Sequence, residues 1–474
     1  MTAGFERSTA RGATTMRTIM KIETMSFLNR FRQSMRKAAL HCGAFALCGA
    51  LVPAAHALPS YARQTGSDCA ACHVGGFGPQ LTPFGVQFKL GGYTDTDGKG
   101  TKIPLSGMAV ANWTHTSKKF PEDVPHYSDN NNFAIQEVSA FLAGRFSDSV
   151  GSFVQWTYSD IDRRSALDQV DIRFATPYKA GDKEGIFGVS LNSNPTLTDP
   201  FNTLGQWRFP YTSPDFGFGT GPSPLVENLA SSVIGLNAYT LWDKNFYAEL
   251  GLYDTLSAKT LERIHADDPG KFKGLGTYWR VAYMKDMKRD NFSVGLFGFN
   301  AKLQPDRADL GTADRYRDIG IDAAYQFLGN REHIYTVNAS YTREWQKLNY
   351  TFGTEGADHR SNRLDQWRLA ASYHYMQTWG LTAGVFDART TKDATLNGAS
   401  YTGRGNTSGY TLQGDWTPFG KESSWGAPWA NLRLGVQYTG YNRFDGGKHF
   451  LDDNGNDRRA RDNNTISVFA WTAF

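Results

Sequence analysis

Cysteine is scarce in this chain, with four in 474 residues. Two of them, Cys42 and Cys48, fall within a stretch near the N-terminus that has the features of a secretory signal. Beyond residue 60 the sequence also lacks any run of about 20 consecutive apolar residues. The first shortage leaves a single cysteine pair for an exported chain, and the second argues against a membrane-spanning helix.

The signal has three recognisable parts. A basic region at 30–37 precedes an apolar run at 38–52, and residues 55–57 read Ala-His-Ala, which fits a small-residue cleavage site. We therefore predict a signal peptide at 1–57 and a mature N-terminus near Leu58. The signal holds eight of the 50 Lys and Arg residues and two of the 46 Asp and Glu residues, so the rest has a formal net charge of −2. This balance argues against a nucleic-acid partner.

The two remaining cysteines, Cys69 and Cys72, stand with His73 in the order C-x-x-C-H. This is the attachment pattern of c-type haem, in which both thiols bond the porphyrin and the histidine ligates the iron. Three other chemistries also use paired cysteines. A disulfide here would close only a very short loop, a redox dithiol is expected beside a βαβ unit, and zinc needs a second pair of ligands nearby. Export and the adjacent histidine favour one covalent haem c.

A small, separate unit is predicted at 58–103, with short helices between glycine- and proline-rich turns. At under 50 residues it is too small to bury a core by itself, and a covalently attached haem would serve as that core. The unit contains no methionine. Something beyond it is therefore expected to cover the other face of the haem.

From residue 105 onward, apolar and polar residues alternate. In 138–146, for example, Val138 and Leu142 share one face, and Ser139 and Arg145 share the other. A period of two with one apolar face is typical of a strand with one wet side, and many of these segments have about the ten residues that a tilted strand needs to cross a bilayer. The predicted strands are 105–116, 133–146, 151–159, 166–176, 185–193, 232–242, 245–254, 275–285, 291–300, 316–328, 333–345, 364–377, 380–390, 407–416, 430–442 and 463–473. We predict an all-β fold, a transmembrane antiparallel barrel of about 16 strands at 104–474.

The connections support a membrane barrel, because short and long ones alternate as they do in outer-membrane proteins. The predicted short links are 147–150, 243–244, 286–290, 329–332 and 378–379. The predicted long links are 117–132, 194–231, 255–274, 301–315, 346–363, 391–406 and 443–462, and the alternation weakens at 160–165 and 417–429. The last strand ends on Phe474, in phase with Ile466 and Val468. Tryptophans near strand ends are expected to form interfacial girdles: Trp113, Trp156, Trp242, Trp367, Trp379, Trp429 and Trp471.

A barrel of this size encloses a lumen. The haem unit precedes the first strand, so it is expected at the mouth or inside the lumen on the side of the short turns. Met108 lies in the predicted inward phase of the first strand and is a candidate sixth iron ligand. His115 is a second candidate, and another residue or an open position is the third option. The proline-rich loop 194–231 is expected either to fold inward or to cover the outer opening.

The whole mature chain resembles the fused outer-membrane monohaem cytochrome c–porin family, which includes bacterial iron-oxidising proteins. The resemblance rests on C-A-A-C-H at 69–73, on Leu-Thr-Pro-Phe-Gly at 81–85, on Phe-Lys-Leu at 88–90 and Gly-Tyr-Thr at 92–94, and on the barrel that follows. It implies one haem c held by Cys69, Cys72 and His73. It also implies an electron-transfer protein of the Gram-negative outer membrane, with lipid around the barrel, a periplasmic c-type cytochrome as partner and an extracellular donor such as Fe(II).

Two other functions stay open at this point. One is a solute-transport porin whose haem is a structural plug or a redox sensor. The other is a peroxidase-like enzyme, which requires an open sixth position on the iron. No residue in the sequence identifies the electron donor, so Fe(II) oxidation is one candidate activity among several.

Overall fold

A computed structural model describes residues 58–100, 102–121, 124–309, 311–452 and 454–474, and the predicted signal at 1–57 lies outside the described residues. Three short helices come first: α1 (Pro59–Thr65), α2 (Cys69–Cys72) and α3 (Pro83–Leu90). The long strands are β1 (Leu105–Thr116), β2 (Asn132–Arg145), β3 (Val150–Ser159), β4 (Arg164–Ala180), β5 (Lys183–Asn192), β6 (Val233–Trp242), β7 (Phe246–Thr255), β8 (Gly276–Asp286), β9 (Asp290–Gln304), β10 (Asp314–Phe327), β11 (His333–Lys347), β12 (Ser361–Tyr375), β13 (Trp379–Thr390), β14 (Thr407–Trp416), β15 (Asn431–Arg443) and β16 (Thr465–Ala473). Helices α4 (Ala258–Ile264) and α5 (Asn349–Gly353), and short strands at 271–272, 449–451 and 457–459, lie in the links.

The sixteen long strands form one closed antiparallel barrel. Each strand pairs with its neighbours in the sequence, and β1 pairs with β2 on one side and with β16 on the other. Closure leaves no unpaired edge, as a sheet in lipid requires. The predicted all-β barrel is confirmed, and every predicted strand range overlaps one of these sixteen strands. Some strands are longer than predicted: β4 continues its ladder with β5 to the pair Ala180 and Lys183.

Burial in the barrel is the reverse of that in a water-soluble sheet. Apolar side chains point outward and are exposed, among them Leu250, Leu252, Ile234, Leu381 and Val436. Polar and charged side chains point inward and are buried, among them Asp171, Arg173, Glu249, Arg280 and Glu344. An apolar band around a closed sheet is the pattern of a barrel whose solvent is lipid. Among the described residues, no helix is long and apolar enough to cross a membrane.

The links differ strongly between the two ends of the barrel. One end, called here the short-turn end, has links at 146–149, 181–182, 243–245, 287–289, 328–332, 376–378 and 417–430. The other, called the long-loop end, has links at 117–131, 160–163, 193–232, 256–275, 305–313, 348–360, 391–406 and 444–464. The predicted alternation is confirmed, including its two weak points at 160–163 and 417–430. The predicted link 301–315 is shortened because β9 continues to Gln304.

Exposed aromatic side chains lie near both ends. Those at the short-turn end include Trp242, Phe246, Tyr335, Trp379 and Trp416, and those at the long-loop end include Phe133, Trp156, Trp345 and Trp367. The predicted girdle is wrong for Trp471. This residue shares the inward phase of β16 with Ser467, and its ring centroid lies 4.9 Å from that of Phe77 inside the barrel.

Two segments fill the lumen. The N-terminal segment 58–97, called here the plug, bonds to the wall near the short-turn end. Loop 193–232 folds inward from the long-loop end, as the first of its two predicted positions requires, while its Phe216 and Phe218 pack against Phe120 and Phe444 of the outer links, as the second requires. Asp199 of this loop forms an ion pair with the buried Arg280 of β8, with 3.1 Å between the charged atoms. Asp322 of β10 forms a second ion pair with the same guanidinium at 2.8 Å. The plug and this loop meet inside the barrel.

Candidate functional site

The two cysteines occupy the ends of a single helical turn, α2. Residues three apart on a helix lie on the same side, so the sulfurs of Cys69 and Cys72 share one face of the turn. The chain then straightens at His73, whose backbone is extended and forms an isolated β-bridge with Leu81. Cys69, Cys72 and His73 are therefore held close together in the plug, the cysteines by the helical turn and the histidine by the bridge.

The following Leu-Thr-Pro-Phe-Gly stretch holds this turn in place. Thr82 caps α3 by accepting a hydrogen bond from the backbone N–H of Gly85, and Pro83 starts the helix where its missing N–H costs nothing. The Thr82 hydroxyl also donates to the carbonyl of Ala71 at 2.5 Å, and its backbone N–H donates to Cys72 at 2.9 Å. A Cβ at Gly85 would collide with the carbonyl oxygen of Cys72. Glycine is therefore required for α3 to approach α2 this closely.

A cavity of about 250 Å³ lies between the plug and the barrel wall. One buried water needs roughly 10–15 Å³ on the same measure, so this space is large enough for a sizeable ligand. Cys69, Cys72 and His73 border it from the plug, and Met108 of β1 borders it from the wall. The aromatic residues around it are Tyr61, Phe77, Phe88, Tyr93, Phe141, Phe153, Trp207, Tyr211 and Trp471. Glu137, Gln155, Asp168 and Gln169 form a polar part of the wall.

Burial controls the protonation of the two titratable groups in the motif. Burial, and then the positive charge of Arg433, lower the pKa of His73 to about 4. The imidazole is therefore neutral at physiological pH, which is the form that ligates a metal. Burial, and then the neighbouring Cys69, raise the pKa of the Cys72 thiol to about 12. Both groups are uncharged in this apolar cavity.

These residues fit a c-type haem. The two sulfurs share one face, the histidine is neutral and adjacent, and the cavity beside them is lined with aromatic rings. The carbonyl of Gln80 interacts with the imidazole, yet the buried Nδ1 of His73 makes no hydrogen bond of ordinary geometry with a described residue. Such an orphaned ring nitrogen is unusual in a packed interior and is consistent with a side chain arranged for a ligand.

The plug is fastened to the inward loop by a buried lysine that the sequence did not single out for this role. Lys89 of α3 is 4% exposed. Its ammonium donates three hydrogen bonds, to the carbonyls of Leu197 at 2.9 Å and Asp199 at 2.6 Å and to Oδ1 of Asn202 at 2.7 Å. It also lies 5.1 Å from the ring centroid of Trp207. All three ammonium donors are satisfied, which offsets part of the cost of burying the charge. Burial, and then the positive charge of Arg173, still lower the pKa of Lys89 to about 7.

Other side chains of the wall bind backbone carbonyls of the plug. These bonds run from Tyr239 to Leu90, from Gln326 to Leu81, from Asn431 to Gly76 and from Arg433 to Phe77, with lengths of 2.7–2.8 Å. They come from β6, β10 and β15, on different sides of the barrel. The plug is thus held around its circumference.

Of the two candidate sixth ligands predicted from the sequence, the structure places Met108 at the cavity and His115 away from it. Met108 lies in the inward phase of β1, as predicted, and borders the cavity. His115, the second candidate ligand, is not among the residues that border the cavity. Its Nδ1 is 2.9 Å from Oδ1 of Asn131, and its ring stacks on Trp113. Sequence reasoning missed Trp207 and Tyr211, because only the inward fold of the loop places them at the cavity.

No protein-family model matches the chain, and no curated protein matches it. Among solved structures it is similar to the outer-membrane protein OmpT of Vibrio cholerae, with 9% identity, a TM-score of 0.42, and coverage of 79% of this chain and 97% of that one. It is also similar to the outer-membrane channel DcaP of Acinetobacter baumannii, with 12% identity, a TM-score of 0.42 and coverage of 80% and 99%. An anion-selective porin from Comamonas acidovorans gives 10% identity, a TM-score of 0.41 and coverage of 78% and 98%.

Proposed function

We propose that this chain is an electron-transfer protein of the outer membrane that carries one covalent haem c in its barrel. The membrane part of the proposal rests on the inverted burial, with an apolar band outside and charged residues inside a closed sheet. The short-turn end faces the periplasm, following the usual arrangement of bacterial barrels. The plug then lies at the periplasmic mouth.

The single observation that carries the haem proposal is that Cys69, Cys72 and His73 open together onto one large cavity inside the barrel. The two cysteines would hold the group, and the neutral imidazole of His73 would donate a ring nitrogen to its iron. The sulfur of Met108, which borders the same cavity, would be the candidate second protein ligand of the iron. Haem c, when bound there, supplies a one-electron Fe(III)/Fe(II) couple.

The residues around the cavity have their own tasks. The aromatic rings exclude water and lower the local dielectric constant, which tunes the potential of an iron couple. Lys89 and the wall contacts keep the plug fixed, so the distance between donor and acceptor stays constant. The proposed electron path joins an extracellular donor, for which Fe(II) is a candidate, to a periplasmic c-type cytochrome.

The filled lumen favours electron transfer over solute transport. The plug occupies the periplasmic part and loop 193–232 occupies the part above it. The ion pairs of Arg280 with Asp199 and Asp322 bind that loop to the wall, and the paired side chains are fully buried. Separating these buried charges is costly, so the loop is expected to stay inside the lumen.

The test is expression in a host that matures c-type cytochromes. We expect one covalent haem per chain after denaturation, and none in the double variant Cys69→Ala and Cys72→Ala. His73→Ala should lose the low-spin spectrum, whereas His115→Ala, which changes a histidine outside the cavity, should keep it. The proposal is overturned if the native protein, produced in this host, contains no covalent haem after denaturation. Reduction of the loaded protein by Fe(II) then tests the donor, and high conductance in planar bilayers would favour the porin alternative.

A further inference from the structure

A second, smaller cavity lies between loop 193–232 and the wall, apart from the plug. Its volume is about 30 Å³, which is room for about two waters or one small ion. Arg208 of the loop and Arg368 of β12 both border it, together with Asn338 and Ser340 of β11. Among the described residues that line it there is no Asp or Glu.

Arg368 brings a charge that the described residues do not neutralise. A guanidinium stays protonated at any physiological pH. One of its NH2 groups donates to the hydroxyl of Thr220, but Nε is buried and has no hydrogen-bond acceptor among the described residues. No described carboxylate forms an ion pair with it, in contrast to Arg208, which Glu227 binds through both oxygens. The described residues thus give Arg368 no direct ion-pair partner, and Glu227, which pairs with Arg208, attracts it only at longer range.

Neutral donors complete the lining. Ser340 and Thr411 border the space, and the Thr411 hydroxyl also lies 3.2 Å from that of Thr439. The Asn338 amide also borders it, and its Oδ1 is buried without a partner. Rotation of that amide by 180° presents its NH2 group instead, since the two orientations are hard to distinguish by shape. The cavity then offers charged and neutral N–H and O–H donors to its occupant.

We propose that this cavity binds a small monovalent anion, of halide size, between Arg208 and Arg368. The anion supplies a direct counter-charge for Arg368, beside the guanidinium of Arg208. It also links the inward loop to β11 and β12, directly after the loop residue Trp207 that borders the larger cavity. This site does not depend on haem, so it stands or fails separately from the proposed electron transfer.

The experiment compares thermal unfolding of the native protein, Arg368→Gln and the control Arg443→Gln in detergent. Arg443 is a barrel-strand arginine whose guanidinium already pairs with Asp387 at 2.8 Å. Sodium chloride is titrated against sodium gluconate at constant ionic strength, because gluconate is too large for the cavity. We expect the unfolding midpoint of the native protein and of Arg443→Gln to rise with chloride until saturation, and that of Arg368→Gln to stay flat.

An equal chloride response in native protein and Arg368→Gln would overturn the proposal, and so would a native protein that does not respond. If Arg368→Gln does not fold, crystals of the native protein soaked in bromide give a second test. An anomalous peak between Arg208 and Arg368 is expected. Its absence at a bromide concentration that saturates the unfolding response rejects the site.

Discussion

The buried lysine of the plug gives the sharpest quantitative prediction. Lys89→Met keeps the length of the side chain and removes its ammonium group. Three oxygen acceptors, on Leu197, Asp199 and Asn202, then lose their donor inside the barrel. An unsatisfied buried acceptor costs about 1–3 kcal/mol, and such costs are not additive within one network. We take about 3 kcal/mol for the loss of contact between plug and loop.

This loss should appear as local opening rather than as collapse of the barrel, because the strand ladders are untouched. A cost of about 3 kcal/mol raises the population of an open plug by about a hundredfold, at about 1.4 kcal/mol per factor of ten. Hydrogen exchange followed by mass spectrometry measures it directly. The amides of Val86, Gly91 and Tyr93, whose hydrogen bonds hold α3 and its C-terminal turn, should exchange about a hundred times faster.

Lys102→Met is the matched control. Lys102 is half-buried and its ammonium lies 3.9 Å from Asp97, so its removal should leave exchange in α3 unchanged. The reasoning is refuted if Lys89→Met changes exchange in α3 by less than a few-fold. It is also refuted if exchange rises equally in β9 and β10, since that would mean general destabilisation of the barrel.

Three further predictions concern the cavity and the outer loops. Gly85→Ala forces α3 away from the Cys72 carbonyl and should cost about 1–3 kcal/mol, seen as a lower unfolding midpoint and less covalent haem per chain. Met108→Ala should convert a low-spin haem spectrum to a high-spin one if its sulfur is the sixth ligand. Burial raises the pKa of Asp393, but hydrogen bonds from backbone and amide N–H groups outweigh it and hold that pKa below the ordinary value. The support it gives loop 391–406 is therefore complete above about pH 4, the unfolded value, and is lost as pH falls through the lower folded pKa. Hydrogen exchange of this loop, normalised at each pH to the exchange rate of an unstructured peptide, should therefore rise only at the acid end.

Each of these has its own control. Gly353→Ala adds a Cβ where no atom lies within 4 Å, so it should alter neither stability nor haem content. An unchanged low-spin spectrum in Met108→Ala excludes that sulfur as ligand. Asp393→Ala should raise the normalised exchange of the loop at pH 6 as well, and equal exchange in the variant and the native protein at that pH would contradict the role assigned to this carboxylate.

The sequence determined the barrel because lipid imposes a simple rule on it. Each strand must turn one face to lipid and one to the lumen, so the period of two is written plainly in residues such as Val138 and Ser139. The motif of the proposed haem site was equally local, since C-x-x-C-H places both sulfurs and the histidine within five residues. Met108 could be assigned to the inward phase for the same reason, although its place on the cavity wall was not visible from phase alone.

Only the tertiary structure decided what fills the lumen. Lys89 looks in the sequence like any solvated lysine, and its partners lie more than 100 positions away on an inward loop. Trp471 was misplaced because proximity to a strand end says nothing about which face a residue occupies. The unmatched Arg368 is likewise invisible in a sequence of ordinary charge balance. The period of two in the sequence predicts which side chains of a strand face lipid and which face the lumen. The contacts across the lumen depend instead on how the closed barrel brings segments distant in the sequence together.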